Sequence, residues 1–99
     1  MARFDIFQNK DGAGYLLDVQ SDLLSGLNTR VIVPLLPKSL APSPAQRLNP
    51  VFEIKGTEVL MATQFMAAVP EAELRASIGS LAEQQHEISA ALEMLFLGF

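Results

Sequence analysis

The sequence predicts a small, mainly β fold with an α-helix at its C-terminal end. Through the first 70 positions, short runs of β-branched and aromatic residues alternate with turn-forming residues, a pattern typical of antiparallel strands. Between positions 80 and 96, apolar residues recur every three, four or seven residues, which is typical of a helix. A chain of 99 residues suffices for one domain with a modest core. We therefore expect a single domain over residues 1–99, with a small antiparallel barrel or curled sheet over roughly 1–70 and the helix over roughly 80–96.

The first two strands are predicted to form a hairpin. Arg3 to Phe7 alternates apolar and polar side chains, and Tyr15 to Val19 is a second run that favours a strand. Asn9 to Gly14, between these runs, is rich in turn-forming residues. The short connection favours antiparallel pairing of the two strands.

The stretch from Gln20 to Gly26 is predicted to be a bend that carries its two leucines outward, because polar residues precede them and a glycine follows. The next run, Arg30 to Leu36, is β-branched and is closed by Pro34 and Pro37. Since proline cannot donate a hydrogen bond to a strand ladder, we expect this strand to end at a margin of the sheet.

A long connection leads to a second predicted hairpin. Lys38 to Pro50 contains three prolines and is predicted to be a loop, and loops of this length are often functional. Val51 to Ile54 and Glu58 to Phe65 are predicted strands around a Lys55-Gly56 turn. A short helical turn is expected from Val69 to Arg75, with a proline in its first turn.

The C-terminal helix is predicted to begin at Ser80. The Ser80 hydroxyl can cap a free backbone N–H while Glu83 reaches back, which is the capping-box pattern. One face of the helix is then apolar (Leu81, Ile88, Ala91, Leu92 and Leu95), and the run from Met94 to Phe99 is apolar throughout. Two interpretations of this run remain. Its side chains pack on the domain's own core, or they anchor another protein, since large side chains bury much area for little backbone ordering.

Composition argues against several classes of function. Seven basic and eleven acidic residues give a formal net charge of −4, which argues against a partner held through phosphates, and we expect no direct nucleic-acid binding. The absence of cysteine excludes disulfides and thiolate sites. No apolar run approaches the roughly 20 residues that span a bilayer, and a signal-peptide pattern is lacking. We expect a cytoplasmic protein that does not associate with membranes. Its low charged fraction, 18 %, favours self-association.

No residue pattern indicates a catalytic, metal or cofactor site. His86 is the single histidine and has no second metal ligand at helical spacing. Asp18 and Asp22 flank a bend, where aspartates commonly cap backbone groups rather than act as paired acids. Met61 and Met66 are expected in the core rather than at a cofactor. We therefore expect no catalytic residue, no metal ligand and no cofactor, and a protein that is not an enzyme.

Five short segments are specific enough to compare with known families: Asp18–Asp22, Arg30–Leu35, Asn49–Ile54, Met66–Pro70 and Met94–Phe99. Together, and in this order across nearly the whole chain, they resemble the CcdB family, the toxins of plasmid and chromosomal addiction modules that poison DNA gyrase. The order of the five segments carries the resemblance. It implies an SH3-like antiparallel barrel with a long C-terminal helix, in a homodimer whose helix ends lie close together.

The resemblance implies a toxin of a type II toxin–antitoxin system, with a role in plasmid maintenance. In the family, the paired helix ends enter the dimer of the gyrase A subunit and trap the enzyme–DNA cleavage complex. The gyrase-contacting positions fall on Leu23, Leu24, Glu93, Phe96, Leu97, Gly98 and Phe99, and Met94 is expected at the dimer interface. Such a toxin makes and breaks no bond itself, which accords with the missing catalytic pattern.

One segment departs from the family. The best-known members end in Trp-Gly-Ile, whereas this chain has Leu97-Gly98-Phe99. Leucine keeps apolar bulk but lacks the indole ring and its N–H donor, and Phe99 can supply aromatic surface nearby. Gyrase binding is then retained with altered strength, or lost in a degenerate homologue.

The resemblance also implies a CcdA-like antitoxin whose disordered C-terminal segment wraps the toxin dimer. We expect it over the Asn9–Gly14 turn, part of Lys38–Pro50 and towards the tail. An alternative function is an endoribonuclease toxin of the MazF type, which shares the barrel architecture. Such an enzyme needs a cationic groove for RNA and a positioned acid–base group. Arg3, Arg30 and Arg47 are dispersed along the chain, so gyrase poisoning remains the leading expectation.

Overall fold

A curled antiparallel sheet forms most of the molecule in a computed structural model that describes residues 2–99. Its strands are β1 (Asp5–Gln8), β2 (Tyr15–Asp18), β3 (Thr29–Pro37), β4 (Val51–Ile54), β5 (Thr57–Met61), β6 (Ala67–Pro70) and β7 (Gly79–Ser80). The helix α1 (Gln85–Leu97) follows the last strand. The predicted mainly β fold with a C-terminal helix is therefore confirmed. Met1, where the predicted domain begins, lies outside the described residues.

β3 is the central strand of the sheet. The order along the main path is β4-β5-β3-β2-β1-β7, and β6 also pairs with β3. The first half of β3 has β6 as its second neighbour and the last part has β5, so the expectation that this strand ends at a margin is wrong. Pro34 is tolerated because it lies between the two paired stretches, where the ladder needs no N–H. Its carbonyl still accepts the Ala62 N–H at 2.9 Å.

The two faces of the sheet bury apolar groups of unequal size. The larger core lies under α1 and consists of Phe4, Ile6, Leu17, Val19, Val33, Leu35, Phe52, Ile54, Val59, Met61, Leu81, Ile88 and Ala91. A smaller core on the other face joins Phe7, Ile32 and Leu74. Side chains of a strand alternate between faces, which explains why Val33 and Ile32 belong to different cores. Met61 lies in the larger core and Met66 packs against it, as predicted.

The β4–β5 hairpin forms where the sequence predicts it. Ile54 pairs with Thr57 across the Lys55-Gly56 turn, whose φ angles of 51° and 81° match the tight turn that suits strand twist. β4 has the predicted bounds. β5 ends at Met61 instead of continuing to position 65, because Thr63–Phe65 forms a 3₁₀ turn.

The helix begins at Gln85, five residues later than predicted. Ser80 is in β7, paired with Asp5, and its hydroxyl accepts the Ala82 N–H at 3.1 Å. A 3₁₀ turn, Ala82–Gln84, separates β7 from α1. The predicted capping box is therefore wrong, because pairing with β1 holds Ser80 in a strand. Among residues 2–99, no helix has the length and apolar character needed to cross a membrane.

Candidate functional site: an apolar surface beside the helix end

Large apolar side chains are exposed at two places, the turn after β2 and the end of α1. Leu23 is 94 % exposed and Leu24 is 49 % exposed. At the helix end, the exposed fractions are 66 % for Phe96, 62 % for Leu97 and 69 % for Phe99. The bend with outward leucines is thus confirmed, and the interpretation in which the tail packs on its own core is wrong.

The fold brings these two places together in one groove. Leu24 and Phe96 line the same apolar groove of about 310 Å³. The other lining residues come from the segment after β2, from β3, from the position before β6 and from α1: Val19, Gln20, Ser21, Val31, Met66 and Leu92. Leu23 directly precedes Leu24 and Leu97 directly follows Phe96, and both are exposed. Phe99 is exposed at the end of the chain, and Glu93 is exposed one turn before Leu97.

Local hydrogen bonds shape the turn that displays the two leucines. Asp22–Leu24 is a 3₁₀ turn, and its cap is Ser21, whose Oγ accepts the Leu23 N–H at 3.2 Å. The Asp22 carboxylate accepts the Arg3 N–H at 2.8 Å, which joins the turn to the start of the chain. Residues 21–29 are all exposed, so hydrogen bonds rather than burial hold this turn.

Gln20 ties both ends of the turn to the sheet. Its buried side-chain amide donates to the Leu24 carbonyl at 3.2 Å and to the Thr29 carbonyl at 3.1 Å. Its Oε1 accepts the Val31 N–H at 3.0 Å. A single side chain thus fixes the turn at its far end and at the start of β3. No sequence pattern indicates this role, since an isolated glutamine matches no capping pattern.

A buried ion pair supports the start of the same turn. Arg30 Nε lies 2.8 Å and Nη2 lies 2.6 Å from Asp18 Oδ2, and the residues are 1 % and 0 % exposed. Asp18 Oδ1 accepts the Gln20 N–H at 3.0 Å, so Asp18 and Asp22 both accept backbone groups, as expected for aspartates at a bend. Burial raises the pKa of Asp18, while Arg30 and the Gln20 N–H oppose that rise.

No local sequence pattern indicates this ion pair. Asp18 and Arg30 lie on neighbouring antiparallel strands, and the register that pairs Asp18 with Ile32 places Arg30 on the same face. An acid closing one strand and a base opening the next is a usable signal once the register is known.

Gly98 ends the helix and sets the direction of Phe99. Its φ is +80°, a conformation that glycine adopts readily and other residues rarely. Its N–H donates to the carbonyls of Glu93 and Met94, each at 3.2 Å. Met94 itself is half-buried, at the boundary between the packed and exposed parts of α1.

A second groove, more polar, lies between the β1–β2 connection and residues 69–76. Its volume is about 340 Å³, and it is lined by residues that include Lys10 and Glu73. Lys10 Nζ is 3.5 Å from Glu73 Oε2, and both side chains are exposed. An adjoining cavity of about 110 Å³ adds Arg75 to these two. The groove and the adjoining cavity therefore bring together two cations, Lys10 and Arg75, and two carboxylates, Asp11 and Glu73, which sequence spacing did not predict.

Metal ligands do not cluster in the described part of the chain. Between residues 2 and 99, no group of three or more His, Cys, Asp or Glu side chains is arranged to hold a metal ion. His86, the single histidine, is exposed near the start of α1.

Several solved structures of mycobacterial proteins share this fold. An endoribonuclease from Mycobacterial species is 15 % identical, with a TM-score of 0.76, and the match covers 100 % of this chain and 94 % of that one. An endoribonuclease in complex with its cognate antitoxin, also from Mycobacterial species, is 16 % identical, with a TM-score of 0.74 and coverages of 100 % and 98 %. The Mycobacterium tuberculosis toxin MazF-mt6 is 17 % identical, with a TM-score of 0.71 and 93 % of each chain covered.

These neighbours correct one expectation from the sequence. We expected a protein that is not an enzyme, because no catalytic pattern was found. The similar structures contradict this expectation, since two of them are named endoribonucleases, and we do not retain it. At identities of 15–17 %, the likeness itself establishes the shared fold.

The family assignment comes from the sequence match. The model of the CcdB protein family matches residues 3–98, which is nearly the whole chain. That span includes Leu23 and Leu24 on the turn and Phe96, Leu97 and Gly98 at the helix end. The chain therefore belongs to the CcdB family and is a toxin of the type II toxin–antitoxin class.

Proposed function

We propose that this toxin binds the A subunit of DNA gyrase through the apolar surface beside the helix end and traps the gyrase–DNA cleavage complex. The observation that carries the proposal is the shared groove of Leu24 and Phe96. Both are among the residues that the family resemblance assigns to gyrase contact. Leu23, Leu97 and Phe99 extend the exposed apolar surface on either side in the chain, while Glu93 and Gly98 complete the proposed contact set.

The energetics favour a dimeric toxin. Burying Leu23, Phe96 and Phe99 fully would contribute about 1.5–3 kcal/mol each. Association of two proteins costs about 4–15 kcal/mol in lost rigid-body freedom. One copy of the surface therefore gives little net affinity, whereas two copies side by side double the apolar area for one association cost. We accordingly include a homodimer in the proposal, with Met94 at its interface.

Leu97-Gly98-Phe99, which replaces the Trp-Gly-Ile of the best-known family members, is part of the proposed gyrase contact. Gly98 sends the chain out of the helix, and Phe99, in the position after it, presents an exposed ring. We propose that this ring supplies the aromatic surface that leucine at position 97 lacks. The indole N–H donor has no replacement at these positions, so the affinity for gyrase is expected to differ from that of members with tryptophan.

An antitoxin is the second proposed partner. We propose a CcdA-like antitoxin whose disordered C-terminal segment crosses the Asn9–Gly14 turn and part of Lys38–Pro50 towards the tail. One structural neighbour is described in complex with its cognate antitoxin, which supports this kind of partner. Leu40, exposed at 66 % within the second of these segments, offers an apolar contact to such a peptide.

The test is a plasmid cleavage assay with purified gyrase and ATP, in which linear DNA is released by detergent and protease. The toxin should increase linear DNA, and a variant that lacks residues 97–99 should abolish this increase while keeping its fold. Leu40→Ala is the matched control, because it removes an exposed leucine from another segment. No linear DNA with the intact toxin, and no binding to the gyrase A subunit, would indicate a homologue that has lost this target. A truncated variant that still poisons gyrase would disprove the proposed surface.

A second candidate function is RNA cleavage, favoured by the named endoribonucleases of the same fold and by the polar groove. In this alternative, Glu73 accepts the proton of an RNA 2′-hydroxyl, and Lys10 and Arg75 hold the neighbouring phosphate. The 2′-oxygen bonds to the phosphorus while the bond from phosphorus to the 5′-oxygen breaks, and the 5′-oxygen leaves with a proton from water. The three side chains already line one cavity, with Lys10 and Glu73 in contact.

Incubation of the toxin with single-stranded RNA tests this alternative. Cleavage that Glu73→Gln lowers at least about 100-fold would support it, since a general base contributes about 10²–10⁴ in rate. Glu71→Gln, which removes another exposed carboxylate two positions earlier, should have no effect. RNA that stays intact, or equal cleavage by both variants, would exclude this groove as the catalytic site.

A further inference from the structure

The two end strands of the sheet leave an open groove between them. β4 and β7 are the first and last strands of the main path, and neither has a second neighbour in the described residues. A groove of about 420 Å³ lies where they approach each other, with Glu53 on one side and residues 80–84 on the other. The sheet therefore curls towards a barrel but does not close.

β4 has backbone groups that face outward and are available for pairing. The Met61 N–H donates to the Pro50 carbonyl at 2.9 Å, which makes this a hydrogen-bonded pair in the β4–β5 ladder. Bonded pairs alternate along an antiparallel ladder, so Phe52 and Ile54 also bond to β5. The N–H and C=O groups of Val51 and Glu53 then point away from β5, at the correct spacing for another strand.

The charges beside this edge are unusual for a strand pair. Glu53 lies directly opposite Glu58, and both side chains are exposed. Like charges in this position are destabilising. Lys38 Nζ lies 3.8 Å from Glu58 Oε1, and Glu83 adds a further carboxylate on the far side of the groove.

We propose that the free edge of β4 binds an extended, lysine- or arginine-rich peptide segment as an additional antiparallel or parallel strand. The backbone of the segment pairs with Val51 and Glu53, and its cationic side chains lie beside Glu53 and Glu58. Binding then satisfies outward backbone groups and relieves the repulsion between the two glutamates. This is strand addition, with main-chain hydrogen bonds providing affinity and side chains providing selectivity.

Charge decides which occupant the edge accepts. If a second copy of the chain paired through the same edge about a twofold axis, it would bring two Glu53–Glu58 pairs together. The repulsion between these carboxylates opposes such self-association, as charged side chains do at other exposed sheet edges. A cationic segment has the complementary charge for this edge and for a protein of net charge −4. This site is separate from the proposed gyrase surface, since none of its residues lines the groove of Leu24 and Phe96.

The probe is an eight-residue peptide of alternating lysine and valine, acetylated and amidated at its ends, with a glutamate–valine peptide of equal length as the control. Backbone amide exchange is followed by NMR in the intact toxin. The lysine peptide should slow exchange at Val51 and Glu53 at least about tenfold, whereas the glutamate peptide should not. Binding of the lysine peptide without slowed exchange at these amides would refute strand addition. Slowed exchange that depends on toxin concentration without peptide would instead assign the edge to a second copy.

Two variants separate backbone pairing from charge. Val51→Pro removes an outward N–H without breaking the β4–β5 ladder, and it should abolish peptide binding while Val51→Thr retains it. Glu53→Lys should weaken binding of the lysine peptide about five- to tenfold, because it removes an exposed ion pair and adds a repulsion between like charges. A folded Val51→Pro variant that binds as well as Val51→Thr would overturn the proposal, as would a Glu53→Lys variant with unchanged affinity.

Discussion

The two ends of α1 carry similar side chains in opposite environments. Ile88 and Ala91 are completely buried in the larger core, and Leu92 packs against it. Phe96 and Leu97, one turn further on, are exposed for most of their surface. The difference does not come from hydrophobicity, because the exposed residues are at least as apolar as the buried ones.

The comparison shows that the position of the helix over the sheet decides which residues stabilise the fold. The larger core contains no helix residue beyond Leu92. The last turn of α1 therefore extends beyond the core that the helix and the sheet share. Contacts up to that point determine stability, and those beyond it are available to a partner. The same reasoning applies to the turn after β2, where hydrogen bonds rather than burial hold exposed leucines.

The largest expected effect is on the buried half of the helix. Ile88→Ala removes a completely buried side chain and should lower the free energy of unfolding by about 2–5 kcal/mol. The matched control, Leu97→Ala, should change it by less than about 0.5 kcal/mol, as exposed substitutions usually do. Urea unfolding followed by circular dichroism measures both. Equal losses for the two variants would show that the tail packs on the core after all.

Met94 lies at the boundary between the buried and exposed parts of α1. Met94→Lys would place an unpaired charge in the proposed dimer interface, and we expect the free energy of dimer formation to weaken by about 2–4 kcal/mol. Sedimentation equilibrium measures the change. Gln85→Lys, which adds the same charge to an exposed position of the same helix, should leave the dimer intact. A Met94→Lys dimer as strong as the control would place the interface elsewhere.

Gln20 tests whether hydrogen bonds can substitute for burial at the exposed turn. Gln20→Ala removes three hydrogen bonds to backbone groups and should lower the free energy of unfolding by about 1–3 kcal/mol. It should also weaken gyrase binding, because Leu23 and Leu24 lose their fixed positions. Ser21→Ala, which removes one exposed cap, should cost about 0.5–1 kcal/mol. If gyrase binding survives Gln20→Ala unchanged, the turn does not contribute to that surface.

The smallest effect is expected at the end of the helix. Gly98→Ala forces a side chain into a positive φ and should cost about 1 kcal/mol, although an added Cβ would meet no atom within 4 Å. Gly26→Ala, in an equally open position without a positive φ, should raise the free energy of unfolding slightly, because alanine lowers the conformational entropy of the unfolded chain. Thermal unfolding of the pair distinguishes backbone strain from steric contact. Identical melting temperatures would argue against strain at Gly98.

Local sequence patterns predicted the local parts of the fold. The alternation in Val51–Ile54 and the Lys55-Gly56 turn led directly to the β4–β5 hairpin, because the whole hairpin is encoded within a few residues. The exposed leucines after β2 were predictable in the same way, since polar residues before them and a glycine after them mark the bend. For the tail, the local pattern left open whether its side chains pack on the core or face outward.

Features that depend on distant pairing could not be predicted. Ser80 has a capping sequence, but its pairing with Asp5 holds it in a strand, and no local pattern reports that partner. Pro34 favours a position at a sheet margin, yet it lies in the central strand. It fits there because β6 pairs with the residues before it and β5 with the residues after it, so no partner strand needs its missing N–H. The groove of Lys10, Glu73 and Arg75 depends likewise on where the β1–β2 connection meets a later segment.

The pairing of β1 with β7 has a consequence for how the chain folds. It joins Asp5 to Ser80, so forming this contact closes a loop of about three quarters of the chain. The entropy lost on closing a loop grows with its length, while the β4–β5 hairpin closes over two residues. We therefore expect the hairpins to form early and the β1–β7 contact, together with docking of α1, to form after the rate-limiting step. Substitutions in β7 should then accelerate unfolding and leave the folding rate nearly unchanged.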